Sequence, residues 1–122
     1  MACLPFSLDE TFALESALAQ VPVVLHAAGP YKYTAQPMVA ACLRTGRHYL
    51  DLTGEIAVYA AIAKQDEAAK QAGVMLLPGS GFDVAATDCL ALYLKERLPS
   101  ATHLALAFSN RGPARPSHGT LK

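Results

Sequence analysis

Short aliphatic runs alternate with helical patterns along most of the chain. Phe12, Leu14, Ala17 and Leu18 recur at helical intervals behind Ser7 to Glu10, which has the spacing of a capping box. Val21 to Ala28 is a compact aliphatic run ending in Gly29-Pro30, the pattern of a buried strand stopped by a turn. In the next helix Thr34 is a candidate cap, Pro37 falls in the first turn, and Met38, Val39, Cys42 and Leu43 form one apolar stripe up to Gly46. His48 to Leu52 reads as a second strand. Glu55 to Ala72 reads as one alanine-rich helix, with Lys64, Asp66, Glu67 and Lys70 on its wet face and Gly73 as its stop. Val74 to Leu77 is a third strand, halted by Pro78 and Gly79. Asp83 is placed to cap a long helix in which Leu90, Leu94 and Leu98 lie one turn apart; Lys95 and Arg97 suit its last turn and Pro99 stops it. Leu104, Leu106 and Phe108 then alternate with His103, Ala105 and Ala107, the signature of a fourth strand.

Strands linked by helices imply an α/β fold built on a parallel sheet. At 122 residues there is room for one such domain. A hydrophobic content of 52% and a charged content of 16% exclude disorder and allow a substantial core. Ten basic side chains balance ten acidic ones, so no global field favours nucleic acid or an anionic membrane. The basic bias between Arg111 and Lys122 lies among prolines and glycine and reads as a solvated loop. Cys3, Cys42 and Cys89 have neither disulfide-framework nor metal-pair spacing, which suits a reducing, cytoplasmic setting. Cys42 and Cys89 fall in helical apolar patterns and are expected to pack as small hydrophobes. No apolar run approaches the roughly 20 residues of a membrane span, and residues 1–6 lack the marks of a signal peptide.

Ligands of open parallel sheets bind outside the carboxyl ends of the strands. Three strand exits therefore carry the candidate chemistry. Ala28-Gly29-Pro30-Tyr31 turns sharply with little bulk, either as a bed for a flat ligand or as a plain turn. Asp51, Thr53 and Glu55 bring polar groups to the second exit, around Gly54. Glu55 is equally placed to act only as a favourable charge in a first helical turn. At the third exit, Gly79-Ser80-Gly81 fails as a dinucleotide fingerprint, because Val84 stands at the third glycine position and Asp83 puts a carboxylate where a phosphate would sit. His26, His48, His103 and His118 have no metal-ligand spacing and read as structural or exposed, so no metal site is expected. No nucleophile elbow or cysteine-nucleophile signature supports hydrolysis, and no catalytic residue is identified. Tyr31, Tyr33 and Tyr49 lie near the predicted ligand edge, Tyr49 pointing to the core.

Val23 to Tyr31, Ala41 to Glu55 and Gly79 to Asp83 form an ordered series that resembles saccharopine dehydrogenase-like oxidoreductases, including the trans-acting enoyl reductases. The resemblance runs from about Asp9 to Asp88, with an echo in Ser117-His118-Gly119-Thr120. It implies the second half of a Rossmann-type sheet over residues 1–100, then the first strand and loop of an α+β substrate domain over 101–122. It further implies NAD or NADP as cofactor. Ala28, Gly29, Pro30, Tyr31, Asp51, Thr53, Gly54 and Glu55 would border the nicotinamide half, and Gly81, Phe82 and Asp83 would lie where cofactor meets substrate. One departure follows Gly81-Phe82-Asp83: Val84 to Thr87 replaces the serine and proline common in the family, which bears on substrate choice.

A second departure is larger. No strand with a glycine-rich loop precedes Met1, so the pyrophosphate lacks its main contacts and weak or no cofactor binding is expected from this chain alone. Two functions follow as expectations. One is part of an oxidoreductase moving hydride to or from a small-molecule or lipid substrate. The other is a non-catalytic remnant or interaction module that pairs its exposed sheet edge with another copy or a complementing half.

Overall fold

The computed structural model describes residues 3–107 and 109. Phe108, the Arg111–Lys122 loop and the Ser117–Thr120 echo lie outside the described residues, as does the side chain of Asp83. Three parallel strands form one sheet in the order β1 (Val23–His26), β2 (His48–Asp51), β3 (Leu76–Leu77). Five helices accompany them: α1 (Thr11–Leu18), α2 (Tyr31–Thr45), α3 (Ile56–Ala63), α4 (Asp66–Ala72) and α5 (Phe82–Arg97). The α/β parallel architecture expected from the alternation is what the chain adopts.

Register sorts the strand side chains into two faces. Val24 pairs with Tyr49 and His26 with Asp51, and Tyr49 pairs in turn with Leu76, so these five share one side of the sheet. Helix α2 covers that side, flanked by α1 and α3. The core lies between these layers: Leu14 and Leu18 from α1, Ala35, Met38, Val39, Ala41 and Cys42 from α2, Tyr49 from β2, and Val58 and Ile62 from α3. The apolar stripe read from α2 is the buried one. Among the described residues nothing packs on the opposite face, where Val23, Leu25 and Leu77 are all more than two-fifths exposed.

Helix ends agree with the pattern in part. Gly46 and Gly73 both close their helices in the left-handed conformation, at φ 66°. Ser7 and Glu10 form half of the expected box, the Ser7 amide donating to the Glu10 carboxylate at 3.3 Å, but the helix starts only at Thr11, three residues beyond the start that Ser7 as cap implies. Thr34 caps nothing: α2 begins at Tyr31, so Thr34 and Pro37 lie inside it. The run from Glu55 to Ala72 is two helices, not one. Asp66 and Glu67 open α4 with favourable acidic charge, and Lys70 pairs with both, at 2.7 and 2.9 Å. β3 has two residues where four were expected. The Val74 and Met75 amides donate to the Ala69 carbonyl and to His48 Nδ1 instead of to a ladder.

Two expectations fail toward the end of the chain. Helix α5 forms and Pro99 follows it, yet none of its described residues is buried; Leu90, Leu98 and Cys89 are exposed. Among the described residues it makes at most marginal contact with the other elements, so its stripe has no layer there to pack on. Residues 101–107 form no strand, and Leu104 and Leu106 are exposed, because no neighbouring strand among the described residues offers them a ladder. Among the described residues, no helix is long and apolar enough to cross a membrane.

Candidate functional site at the strand exits

A parallel sheet delivers all its exits to one edge, and the three loops meet there. At the first exit Ala27 to Pro30 are exposed, and the Gly29–Pro30 peptide is cis. Helix α2 starts directly behind, with Pro30 as a cap residue that has no side-chain donor or acceptor to offer. The cap comes from elsewhere. The carboxylate of Glu55 accepts the Tyr31 amide at 2.9 Å and the Lys32 amide at 3.0 Å. Thr34 Oγ1 donates back to the Ala28 carbonyl at 2.7 Å, tying the loop to the helix it feeds.

At the second exit Asp51 and Thr53 are fully buried. One carboxylate oxygen of Asp51 accepts two amides, from Thr53 at 2.9 Å and from Gly79 at 2.8 Å. The other accepts the Tyr49 hydroxyl at 2.7 Å. The Asp51 carbonyl receives the amide and the hydroxyl of Ser80, each at 2.7 Å. A buried carboxylate is tolerable when its lone pairs are matched in this way. Thr53 Oγ1 accepts the Glu55 amide at 3.0 Å, and the Tyr59 hydroxyl donates to the Thr53 carbonyl at 3.1 Å. Gly54 sits exposed in open space.

The third exit turns at Gly79, which is buried with φ 70°, and a methyl group there would overlap the Tyr59 hydroxyl. Only glycine satisfies both conditions. Gly81 is the cap residue of α5, in extended conformation against Leu52, and Phe82 is exposed. Asp83 is therefore the second residue of α5 and not its cap.

Behind the exits lies a buried polar line. Tyr49 has one hydroxyl proton, and the carboxylate takes it, so the 3.2 Å contact with His26 Nδ1 has the imidazole as donor. His26 Nε2 is buried and makes no hydrogen bond among the described residues, although the Ala28 carbonyl is near enough to favour the charged ring somewhat. Burial outweighs that carbonyl and the charge of Asp51, and holds the His26 pKa below its ordinary value. Tyr49 is pushed far up, by burial first and then by its bond to Asp51. Burial also raises Tyr31 and Tyr59. Neutral phenols and a neutral imidazole are donors and acceptors, not charges, at ordinary pH. Among the described residues no His, Cys, Asp and Glu group could hold a metal ion.

A groove of about 670 Å³ lies mostly away from this network. It runs between α3, α4 and β3, lined by Ile56, Ala60, Ala63, Lys70 and Met75, and reaches the exits only at Tyr59 and Pro78.

Residues 3–77 match the saccharopine dehydrogenase NADP-binding domain. The chain belongs to this family. A saccharopine dehydrogenase-like oxidoreductase of Mus musculus is 32% identical over 112 residues, covering 89% of this chain and 25% of that protein. A trans-acting enoyl reductase of Mycobacterium leprae is 36% identical over 86 residues, covering 70% of this chain and 21% of the relative. The fold matches saccharopine dehydrogenase (L-Glu forming) of Saccharomyces cerevisiae with a TM-score of 0.65 at 18% identity, over 77% of this chain and 20% of that one. The chain thus spans about a quarter or less of the length of these relatives. The resemblance read from the exit motifs holds, and with it the NAD(P) cofactor class and a general oxidoreductase role for the family.

The saccharopine dehydrogenase-like frame sorts the expected site residues. Ala28, Gly29, Pro30, Gly54 and Phe82 face solvent at the edge, with Tyr31 and Gly81 part-buried beside them. Asp51 and Thr53 stand behind the surface, and Glu55 is engaged with α2. Ala28, Gly29, Pro30 and Gly54 thus leave an exposed bed of small residues beside the Tyr31 ring. The amides that head α2 are already held by the Glu55 carboxylate and are not open to an anion. Gly79 and Ser80, read as part of the third exit loop, are joined to Asp51 there. The residues not anticipated as parts of the site are His26 and Tyr59, which reach Asp51 or its loop only by tertiary approach.

Proposed function

We propose that this chain forms the nicotinamide-side half of the dinucleotide-binding domain of an NAD(P)-dependent oxidoreductase, which moves hydride to or from a small-molecule or lipid substrate. One observation carries the reading: three strand exits meet on a single edge and are hydrogen-bonded to one another, in a chain of this family. Ala28, Gly29, Pro30, Tyr31 and Gly54 border the nicotinamide. Asp51, Thr53 and Glu55 serve the same edge from behind. Gly81, Phe82 and Asp83 stand where cofactor meets substrate, and residues 101–122 open the substrate domain. The working compartment is reducing and cytoplasmic, consistent with three free cysteines.

Affinity for the whole cofactor depends on a phosphate-binding loop supplied from outside the described residues. In an NADPH titration followed by cofactor fluorescence, the chain alone is expected to bind with a dissociation constant weaker than about 100 μM. Replacing the matching segment of the M. leprae relative by residues 3–100 is expected to give a chimera that binds NADPH. A folded chimera that does not bind overturns the reading, and low-micromolar binding by the chain alone overturns its dependence on an outside loop. A second reading, an interaction module, is favoured by the open flank of β1, which pairs with no strand but β2 among the described residues. Self-association on size exclusion, with no gain of NADPH binding in the chimera, selects it.

A further inference from the structure

We propose that Asp51 and Glu55 are positioning residues that join the three strand-exit loops into one coupled unit, so that a change at the first exit is felt at the third. The bonds run in series across loops far apart in sequence. Gly79 and Thr53 share one oxygen of Asp51, which locks the third exit to the second. Ser80 adds two bonds to the Asp51 carbonyl. Thr53 Oγ1 holds the Glu55 amide, and the Glu55 carboxylate holds Tyr31 and Lys32, which locks the second exit to the first.

Two closures stiffen the series. Tyr59 donates to the Thr53 carbonyl and roofs Gly79, completing a ring through Asp51. Tyr49 links Asp51 to His26, the last residue of β1, and so gives the first exit a second tether. Both carboxylates thus direct their oxygens into the chain. Bonds that share one buried acceptor in a low-dielectric setting are expected to be cooperative, and losing one member should loosen the others. The rival is that each carboxylate satisfies its own amides and nothing more.

The proposal rests on the preceding reading only for what the unit presents, since the coupling itself needs no cofactor. Amide hydrogen exchange of the full chain, followed by NMR without NADPH, tests it and is blind to whether the cofactor role is right. Glu55→Gln removes one acceptor at α2. It is expected to speed exchange at Tyr31 or Lys32 and also, by about threefold, at Thr53 and Gly79, which it does not touch. Asp51→Ala is expected to speed Thr53 and Gly79 by about tenfold or more, with a smaller rise at Lys32. Asp51→Asn keeps a carbonyl acceptor for both amides and is expected to stay within about threefold of the parent there. An effect of Glu55→Gln confined to Tyr31 and Lys32 overturns the proposal. So does equal acceleration at the α2 core amides of Ala41 and Cys42, which reports global loosening instead. If Asp51→Ala does not fold, Glu55→Gln and Asp51→Asn still decide.

Discussion

Single residues in this protein are fixed by what they must avoid as much as by what they touch. Gly79 must take a positive φ and leave room for Tyr59. Gly79→Ala is expected to cost about 3 kcal/mol, read as a lower urea midpoint at unchanged slope. His26 is held below its ordinary pKa by burial, so the unfolded ring takes a proton first as pH falls. Stability from this group is present above the unfolded value of about 6.5 and declines as pH drops toward the folded one, by at most about 1.4 kcal/mol per unit. His26→Asn is expected to flatten that part of the stability profile between pH 7 and pH 5. Burial pushes the Cys42 thiol up to about 11, while Cys3 and Cys89 are exposed. At pH 8 a thiol reagent should modify two cysteines quickly and the third only on unfolding.

Elements show which sequence signals survive folding. The stripe of α2 and the glycine stops of α2 and α4 were legible, because amphipathic period and left-handed glycine are local properties. The break at Lys64–Gln65 was not, since alanine fits either side of a break and the apolar period runs through it. The start of α2 was misplaced for an instructive reason: its cap is a side chain 24 positions away, and nothing near Tyr31 announces it. That shift leaves Pro37 seven residues into the helix, where it has no amide to give the preceding turn. Pro37→Ala is expected to raise stability by about 1–3 kcal/mol, measured by thermal unfolding. The site was legible to the same extent. The three exit loops were located by topology, but the inward turn of Asp51 and Glu55 was hidden, because a sequence shows that a carboxylate is near an edge and not which way it faces.

Among the described residues the molecule is two layers, a parallel sheet and the helices on one of its faces. Helices α1 to α3 cover one face among the described residues; Val23, Leu25 and Leu77 are exposed on the other, as are Leu90 and Leu92 of α5. Exposed apolar area of this kind marks a surface that binds something or aggregates. Leu25→Lys is expected to lower binding of a hydrophobic dye and change stability by no more than about 0.5 kcal/mol, because Leu25 is 59% exposed. An equal loss of stability and dye signal would mean that the face is packed in solution.

The carboxylate at the head of α2 has one more consequence. A 15-residue helix carries roughly half a positive charge at its start, and in this protein the charge is already neutralised from within. Deleting the neutralising group should therefore add a property: Glu55→Ala leaves two aligned amides and an uncompensated dipole open to solution anions. Millimolar inorganic phosphate is expected to raise the melting temperature of Glu55→Ala and to leave the parent chain unmoved, turning an internal fastening into a receptor for a free anion.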